Sequence, residues 1–338
     1  MKFGVFDHMD FSGVDLHEHL ENRLKIAELY DRLRFHGYHV AEHHGTPLGF
    51  APSPNVYLAA LAQRTSRLKF GPMVYLLPLY HPLRLAEEIC MLDHLSRGRF
   101  MLGTGRGISP LELGFFGVEA EDSQAIYAES YECLMRAFKD KSLSFAGDYF
   151  EFVDVPITAR PYTQPHPELW YGILNPETTV WAAENNVNVV TIALAEGTKV
   201  IVERYKKEWQ KLGKAEADLP LIGVSRHIVV AETDNEARDL ARRAYKCWLA
   251  SFSRLWHDNN LPVPLVGSIY PEEWDDLQAI GNGFAGSPES VKEYVAEQAA
   301  LSGFNYFTAW FAFGDLTLSE VSKSVELFDD QVISELGS

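Results

Sequence analysis

The sequence predicts an α/β fold, a single (β/α)8 TIM barrel, and three observations carry that prediction. Short runs rich in Val, Ile, Phe and Tyr alternate with longer stretches of helical periodicity, which is typical of a parallel sheet. Eight such strand–helix units can be counted, and no linker interrupts the 338 residues. We therefore expect one domain over 1–338, with an open doubly wound sheet as the alternative.

Each element is placed by its own local pattern. Strands are expected near 2–7, 38–42, 68–75, 99–104, 168–173, 187–193, 221–231 and 304–312. Helices are expected near 16–35, 54–65, 82–96, 122–139, 176–185, 198–212, 234–256, 287–302 and 317–335. Pro82 and Gly98 suit the two ends of the third helix, and Thr233 suits the start of the seventh.

Two segments do not fit the alternation. Residues 142–156 predict a small hairpin after the fourth helix. Residues 257–285 are rich in Pro, Gly and Trp, which indicates a long insertion after the seventh strand. Such an insertion in a barrel is either an active-site lid or a surface excursion, and the sequence favours neither.

Composition excludes several classes of protein. The net charge of −17 argues against nucleic-acid binding, which needs clustered Lys and Arg. No apolar run approaches the roughly 18 residues of a membrane span, and the N-terminus lacks the pattern of a signal peptide. Three widely spaced cysteines do not form a disulfide framework. We therefore expect a protein of the cytoplasm that binds neither membrane nor nucleic acid.

Polar residues follow several predicted strands. Chemistry in a (β/α)8 barrel lies at the C-terminal ends of the strands. Asp7-His8, Glu42-His43-His44, Arg106 and Asn175 follow four of these ends, and Trp310 lies near a fifth. One rim of the barrel is therefore expected to carry histidines, an arginine and aromatic rings.

A metal site is the first interpretation to weigh. His43, His44, His81 and Asp7 offer ligand atoms. Adjacent residues at a strand end point in opposite directions, so His43 and His44 are not expected to share an ion. The sequence also lacks the HxH and HExxH spacings. We predict no metal.

Two motifs suggest anion binding when taken alone. The glycines of GTGRG (103–107) allow close approach of a ligand, and Arg106 offers planar donors for a phosphate. The motif is not GxGxxG, so the dinucleotide signature is weak. NPETT (175–179) follows a strand and begins a helix, which is either a phosphate site or an ordinary helix cap.

Together these motifs resemble those of a known family. VAEHH, the block GPMVYLLPLYHPLRLAEEICMLDHLSRGRFMLGTGRG and LNPETTVWAAE resemble the bacterial luciferase-like flavin monooxygenases. The resemblance covers nearly the whole chain and is densest over 38–107. It implies a two-component enzyme that uses FMN as FMNH2. The enzyme would form a C4a-hydroperoxyflavin and insert one atom of O2 into a small apolar aldehyde, ketone or hydrocarbon. A separate NAD(P)H:flavin reductase and a homodimer are also implied.

The resemblance also implies site residues. His43 would act in the flavin chemistry. Met73 and Val74 would form a non-prolyl cis peptide under the flavin ring, and Arg106 and Thr178 would hold the FMN phosphate. Asn175 stands where the family often has Ser and is expected to assist in binding the cofactor. The family's second phosphate-binding arginine is replaced by Gln124, and Leu174 replaces an acidic residue. The expected substrate pocket contains His44, Tyr75, Phe115 and Trp310.

Two other functions remain open at this point. Relatives on the same barrel use the deazaflavin F420 for hydride transfer, and some relatives bind flavin without catalysis. Comparison of FMN with F420 binding distinguishes the first, and turnover of any substrate excludes the second.

Overall fold

The computed structural model describes residues 1–337 and has a barrel of parallel strands at its centre. The strands are β1 (Lys2–Asp7), β2 (Gly37–Val40), β3 (Lys69–Pro72), β4 (Tyr75–Leu76), β5 (Met101–Gly105), β6 (Ser142–Ala146), β7 (Glu151–Pro156), β8 (Glu168–Gly172), β9 (Asn188–Thr191), β10 (Ile222–Val230), β11 (Gly283–Gly286) and β12 (Tyr306–Trp310). The helices are α1 (Leu16–Arg32), α2 (Pro54–Arg64), α3 (Pro82–Ser96), α4 (Pro110–Phe115), α5 (Ser123–Lys139), α6 (Thr179–Glu184), α7 (Ala195–Lys211), α8 (Asp234–Asp258), α9 (Trp274–Ala279), α10 (Pro288–Ser302), α11 (Leu318–Phe328) and α12 (Ser334–Leu336).

The sheet closes on itself. Its strand order is β3-β2-β1-β12-β10-β9-β8-β5-β4, and all of these neighbours are parallel. A bridge between Phe70 and Phe100 joins the start of β3 to the start of β5. The third barrel strand is thus β3 and β4 together, interrupted at Met73–Val74. The predicted barrel is confirmed, and the open sheet is wrong.

The helices begin and end where local chemistry favours it. Pro82 opens α3, and Arg97 and Gly98 end it with φ of 56° and 82°. Thr233 accepts a hydrogen bond from the Glu236 amide at 3.3 Å and caps α8. Barrel strands such as β10 are buried along their whole length, because the barrel interior covers one face and helices cover the other.

Three segments differ from the sequence prediction or refine it. The predicted hairpin is β6 and β7, an antiparallel pair. Residues 257–285 are not wholly irregular, because α9 lies within them and β11, at their end, pairs with β10. The sequence of β11, GFAG, has no β-branched residue, and its pairing depends on a strand distant in the chain. The last predicted helix, 317–335, is divided into α11, a π-helical segment (Asp329–Ile333) and α12.

Within residues 1–337, no helix has the length and apolar character needed to cross a membrane.

Candidate functional site

A cavity of about 450 Å3 opens at the C-terminal ends of the barrel strands. Seven of the ten residues assigned to the site from the sequence line it: His43, Met73, Val74, Arg106, Asn175, Thr178 and Trp310. They come from the ends of five different barrel strands or the loops that follow them, so only closure of the barrel brings them together. The size of the cavity lies within the usual range for cofactor and substrate sites.

The peptide bond between Met73 and Val74 is cis, as the resemblance implied. It lies between β3 and β4 and forms part of the cavity wall. Gly105 on the neighbouring strand allows this arrangement, since a Cβ atom there would meet Cγ2 of Val74 at 2.3 Å. Gly105, the second glycine of GTGRG, is therefore needed for packing against the cis segment.

His43 is hydrogen-bonded to a buried carboxylate. Its Nδ1 lies 3.1 Å from Oε1 of Glu112, which also accepts the amide of His44 at 2.7 Å. Burial raises the pKa of Glu112, but His43 and the His44 amide lower it by more, so the net shift is downward. Glu112 is therefore a carboxylate that holds the His43 ring at the cavity wall.

His44 pairs with a different carboxylate. Its Nε2 lies 2.9 Å from Oε1 of Glu42, which is 3% exposed. Glu42 also accepts the Tyr80 hydroxyl at 2.9 Å and the Leu76 amide at 2.9 Å. The two adjacent histidines thus point to different partners, as strand alternation predicts. Among residues 1–337, no three metal-ligating side chains cluster in a way that would hold an ion.

Three residues assigned to the substrate pocket do not line the cavity: His44, Tyr75 and Phe115. Tyr75 is fully buried behind the strand, where it hydrogen-bonds to Asn55. Its neighbours along the chain, Val74 and Leu76, line the cavity, so alternation turns Tyr75 away. Phe115 lies on α4 with 56% of its surface exposed. The assignment of these three residues to the pocket wall is corrected accordingly.

The polar end of the cavity contains the predicted anion-binding residues. Arg106 makes one long hydrogen bond, 3.4 Å to Oγ of Ser123, and forms no ion pair with any carboxylate of residues 1–337. Asn175 does cap the following turn, since its Oδ1 accepts the Glu177 amide at 3.0 Å. Thr178 lies beside it in the cavity wall. The charge of Arg106 is therefore available to an anion.

The apolar end of the cavity is aromatic. Phe6, Phe252, Tyr270 and Trp310 contribute to its wall, and Ser225 holds the Trp310 indole through a hydrogen bond. Tyr270 belongs to the segment 257–285, so that segment supplies part of the wall. These rings exclude water from one side of the cavity.

Glu112 lines the cavity without having been predicted from the sequence, whereas His8 is a rim residue to which the sequence assigns no role. Glu112 lies in α4, a helix too short to give a periodic signal. His8 follows β1, and its Nδ1 accepts the indole N–H of Trp248 from α8 at 3.3 Å. Burial lowers the pKa of His8 well below its ordinary value, and the neighbouring His43 and His227 lower it further. The end of the first predicted strand places His8 on the expected rim, but no role for His8 follows from that position alone.

Residues 1–305 match the model of the family described as luciferase-like monooxygenase. The chain belongs to the luciferase-like monooxygenase family. The resemblance drawn from the EHH, GTGRG and NPETT motifs is thereby confirmed, and so is the predicted class of enzyme, a flavin-dependent monooxygenase.

Two curated relatives illustrate the range of similarity. The uncharacterized protein y4wF of Sinorhizobium fredii (strain NBRC 101917 / NGR234) is 38% identical over 337 residues, which cover 100% of this chain and 98% of that protein. Limonene 1,2-monooxygenase of Rhodococcus erythropolis is 28% identical over 294 residues, or 84% of this chain and 73% of that enzyme.

Solved structures of the luciferase-like barrel superpose over nearly the whole chain. Monooxygenase RslO1 from Streptomyces bottropensis has a TM-score of 0.88 at 24% identity and covers 99% of both chains. The oxygenating constituent of 3,6-diketocamphane monooxygenase from Pseudomonas putida, solved with FMN, has a TM-score of 0.83 at 22% identity, covering 99% of this chain and 98% of the other. The F420-dependent tetrahydromethanopterin reductase of Methanopyrus kandleri has a TM-score of 0.68 at 17% identity, covering 99% of each chain. At these identities the superpositions establish the fold alone.

Proposed function

We propose that this family member is the oxygenating component of a two-component monooxygenase. It takes FMNH2 from a separate NAD(P)H:flavin reductase and transfers one atom of O2 to a small, largely apolar organic molecule, while the other oxygen atom leaves as water. The observation that carries this proposal is the hydrogen-bonded His43–Glu112 pair, held at the wall of a cavity that is aromatic at one end and cationic at the other.

FMN fits the residues that line the cavity. Its phosphate matches Arg106, whose guanidinium has no carboxylate partner within residues 1–337, with Thr178 and Asn175 beside it. Its ring matches the apolar wall at Met73–Val74. Gly172 also lines the cavity, and a Cβ atom there would meet nothing within 4 Å, so the space is open. When bound, reduced FMN supplies the electrons that activate O2.

His43 is the proposed catalytic residue. Its Nδ1 is held by Glu112, which leaves the ring fixed and able to hold or release a proton on the cavity side. His43 thus controls one proton at the reacting end of the cavity.

The aromatic wall has a separate task. Oxygen activated by a reduced flavin is lost as H2O2 when water and protons reach it freely, so the site must be dry. Phe6, Phe252, Tyr270 and Trp310 supply that dry wall. Tyr270 comes from the segment 257–285, which supports a role for this segment in closing the site.

The partner reductase follows from the sequence and the family. GTGRG does not have the spacing of a dinucleotide signature, so electrons are expected to arrive on free flavin. We also propose that the protein works in the cytoplasm, in keeping with its three free cysteines.

The decisive experiment mixes the protein with chemically reduced FMN, O2 and a panel of aldehydes, ketones and hydrocarbons. Oxygenated product is quantified by mass spectrometry and compared with H2O2 released. The His43→Asn variant is expected to shift the balance toward H2O2, while His17→Asn, at an exposed position on α1, serves as the matched control. Failure to oxygenate any member of the panel, or an unchanged balance in His43→Asn, would count against the proposal.

Cofactor choice is tested by binding. FMN is expected to bind more tightly than riboflavin, which lacks the phosphate, and Arg106→Leu should remove that difference. The alternative cofactor, F420, is titrated in parallel. Tighter binding of F420 than of FMN would favour hydride transfer over oxygenation.

A further inference from the structure

His8 forms part of the cavity wall and has no role in the function proposed above. It follows β1 directly, beside His43 and Trp310. The centroid of the His8 ring lies 4.7 Å from that of Trp310, edge-on, and 5.6 Å from that of His43. The ring therefore lies at the junction between the proton-handling and the aromatic parts of the cavity.

Trp248 fixes which nitrogen of His8 carries the proton. Its indole Nε1 lies 3.3 Å from Nδ1 of His8, and both side chains are buried. An indole N–H can only donate, so Nδ1 of His8 must accept and cannot carry a hydrogen. In a neutral ring the proton is therefore on Nε2.

The surroundings keep the His8 ring neutral. Burial lowers its pKa well below the ordinary value for histidine, and His43 and His227 lower it further. Aromatic rings of Phe6 and Trp310 meet it edge-on, and no carboxylate of residues 1–337 hydrogen-bonds to it. This contrasts with His43, which is paired with Glu112.

The remaining N–H of His8 opens into the cavity. Nε2 makes no hydrogen bond to any group of residues 1–337. It is also not fully enclosed, because it is absent from the buried polar atoms that lack a partner. Since the ring lines the cavity, the accessible Nε2 faces that space. A ligand that covers this N–H without offering an acceptor leaves a donor unsatisfied, which lowers its affinity.

We propose that Nε2–H of His8 donates a hydrogen bond to an oxygen atom of the substrate. The substrate class is then a neutral molecule with an apolar body and a carbonyl or hydroxyl oxygen, and a plain hydrocarbon is disfavoured. This inference rests on the proposed function for the identity of the ligand as a substrate. It divides the work between two histidines, of which His8 orients the substrate and His43 handles the proton.

The test uses two bicyclic probes that differ at one position, the ketone α-tetralone and the hydrocarbon tetralin. Both are titrated by calorimetry into the flavin-free protein. The wild-type protein is expected to bind the ketone about fivefold to tenfold more tightly, the effect of one hydrogen bond. His8→Phe should abolish this preference and keep tetralin affinity, whereas His8→Gln, which retains a donor, should keep most of it.

A second measurement needs no variant at position 8. Proton–nitrogen NMR spectra of the histidine rings are expected to show His8 protonated on Nε2 in the wild-type protein, and on a mixture of both nitrogens in Trp248→Phe. A proton on Nδ1 in the wild-type protein would overturn the proposal. So would a wild-type protein without preference, including one that binds neither probe, or a preference that survives in His8→Phe.

These outcomes are separable from those of the oxygenation assay. The titrations contain no flavin, so a ketone preference that depends on His8 can be observed whether or not the protein oxygenates anything. Loss of oxygenation with an intact ketone preference would contradict the proposed function alone.

Discussion

At the scale of single residues, the carboxylate of Glu112 decides how His43 behaves. Glu112→Gln keeps the size of the side chain but removes the charge that faces Nδ1 of His43. The yield of oxygenated product per O2 should fall roughly tenfold, the effect expected for one charge-assisted hydrogen bond. Product and H2O2 are measured together. Glu121→Gln is the control, because Glu121 is an exposed residue in the segment between α4 and α5. This variant should match the wild-type protein.

The buried carboxyl group of Asp10 is expected to lower the free energy of unfolding as pH rises. Burial raises the pKa of this carboxyl to about 7, although Arg23 and the Gly314 amide lower it. The folded state then binds more protons than the unfolded state between pH of about 4 and about 7. Ionisation of Asp10 therefore reduces the free energy of unfolding as pH rises through that window, by on the order of 4 kcal/mol.

Asp10→Asn should remove this fall. Urea unfolding at several pH values between about 4 and about 8 gives the slope, and only the difference between variant and wild type is attributed to Asp10. Asp15→Asn is the matched control, because Asp15 is an exposed helix cap and Asn can also cap. Equal slopes in the wild type and Asp10→Asn would show that the carboxyl has an ordinary pKa.

At the scale of elements, the position of α4 depends on Gly45. Gly45 has φ of 64°, and a Cβ atom there would lie 2.7 Å from the Phe115 ring on α4. Gly13 also has a positive φ, 86°, but a Cβ atom there would meet nothing within 4 Å. Gly13→Ala therefore isolates the backbone cost, about 1 kcal/mol.

Gly45→Ala adds displacement of α4 to that backbone cost. Its free energy of unfolding should fall by about 2 kcal/mol, roughly twice the loss in Gly13→Ala. Urea denaturation of both variants measures the difference. Because α4 carries Glu112, only Gly45→Ala should also increase H2O2 release. Equal losses of stability in the two variants would mean that Phe115 moves aside without cost.

The elements could be predicted from the sequence, whereas the residue pairs of the site could not. The barrel strands and the long helices were predictable, because their patterns are local and repeat eight times. The His43–Glu112 pair was not, because it joins residues 69 apart through a helix of six residues. The His8–Trp248 pair joins residues 240 apart. An aromatic residue at a strand end is expected to line the pocket, but Tyr75 does not, because side-chain alternation along the strand turns it away from the cavity.

At the scale of the whole molecule, one surface is suited to contact a second copy of the chain. Val56 on α2 and Met91 and Leu95 on α3 are exposed by 73%, 61% and 48%, and the two helices pack side by side. Exposed apolar side chains on two adjacent helices are typical of an interface. We propose that the protein forms a homodimer through this face.

Met91→Arg should convert the dimer to a monomer, because it places a charge in an apolar contact. Size-exclusion chromatography with light scattering gives the mass. Val153→Arg adds the same charge at a residue that is 78% exposed on the β6–β7 hairpin, and it should leave the mass unchanged. A monomeric wild-type protein, or a dimeric Met91→Arg variant, would contradict this interface.

The net charge of −17 is expected to slow the association of FMN with the protein. FMN carries a negatively charged phosphate, so the field of the whole protein repels it at long range, while Arg106 attracts it only at contact. Added salt screens the long-range repulsion first. The association rate of FMN, followed by stopped-flow quenching of flavin fluorescence, should therefore rise roughly twofold to tenfold between low and physiological salt. Riboflavin, which has no charge, should associate at the same rate in both. A rate for FMN that falls with salt would instead mean that Arg106 and its neighbours outweigh the net charge over the whole approach.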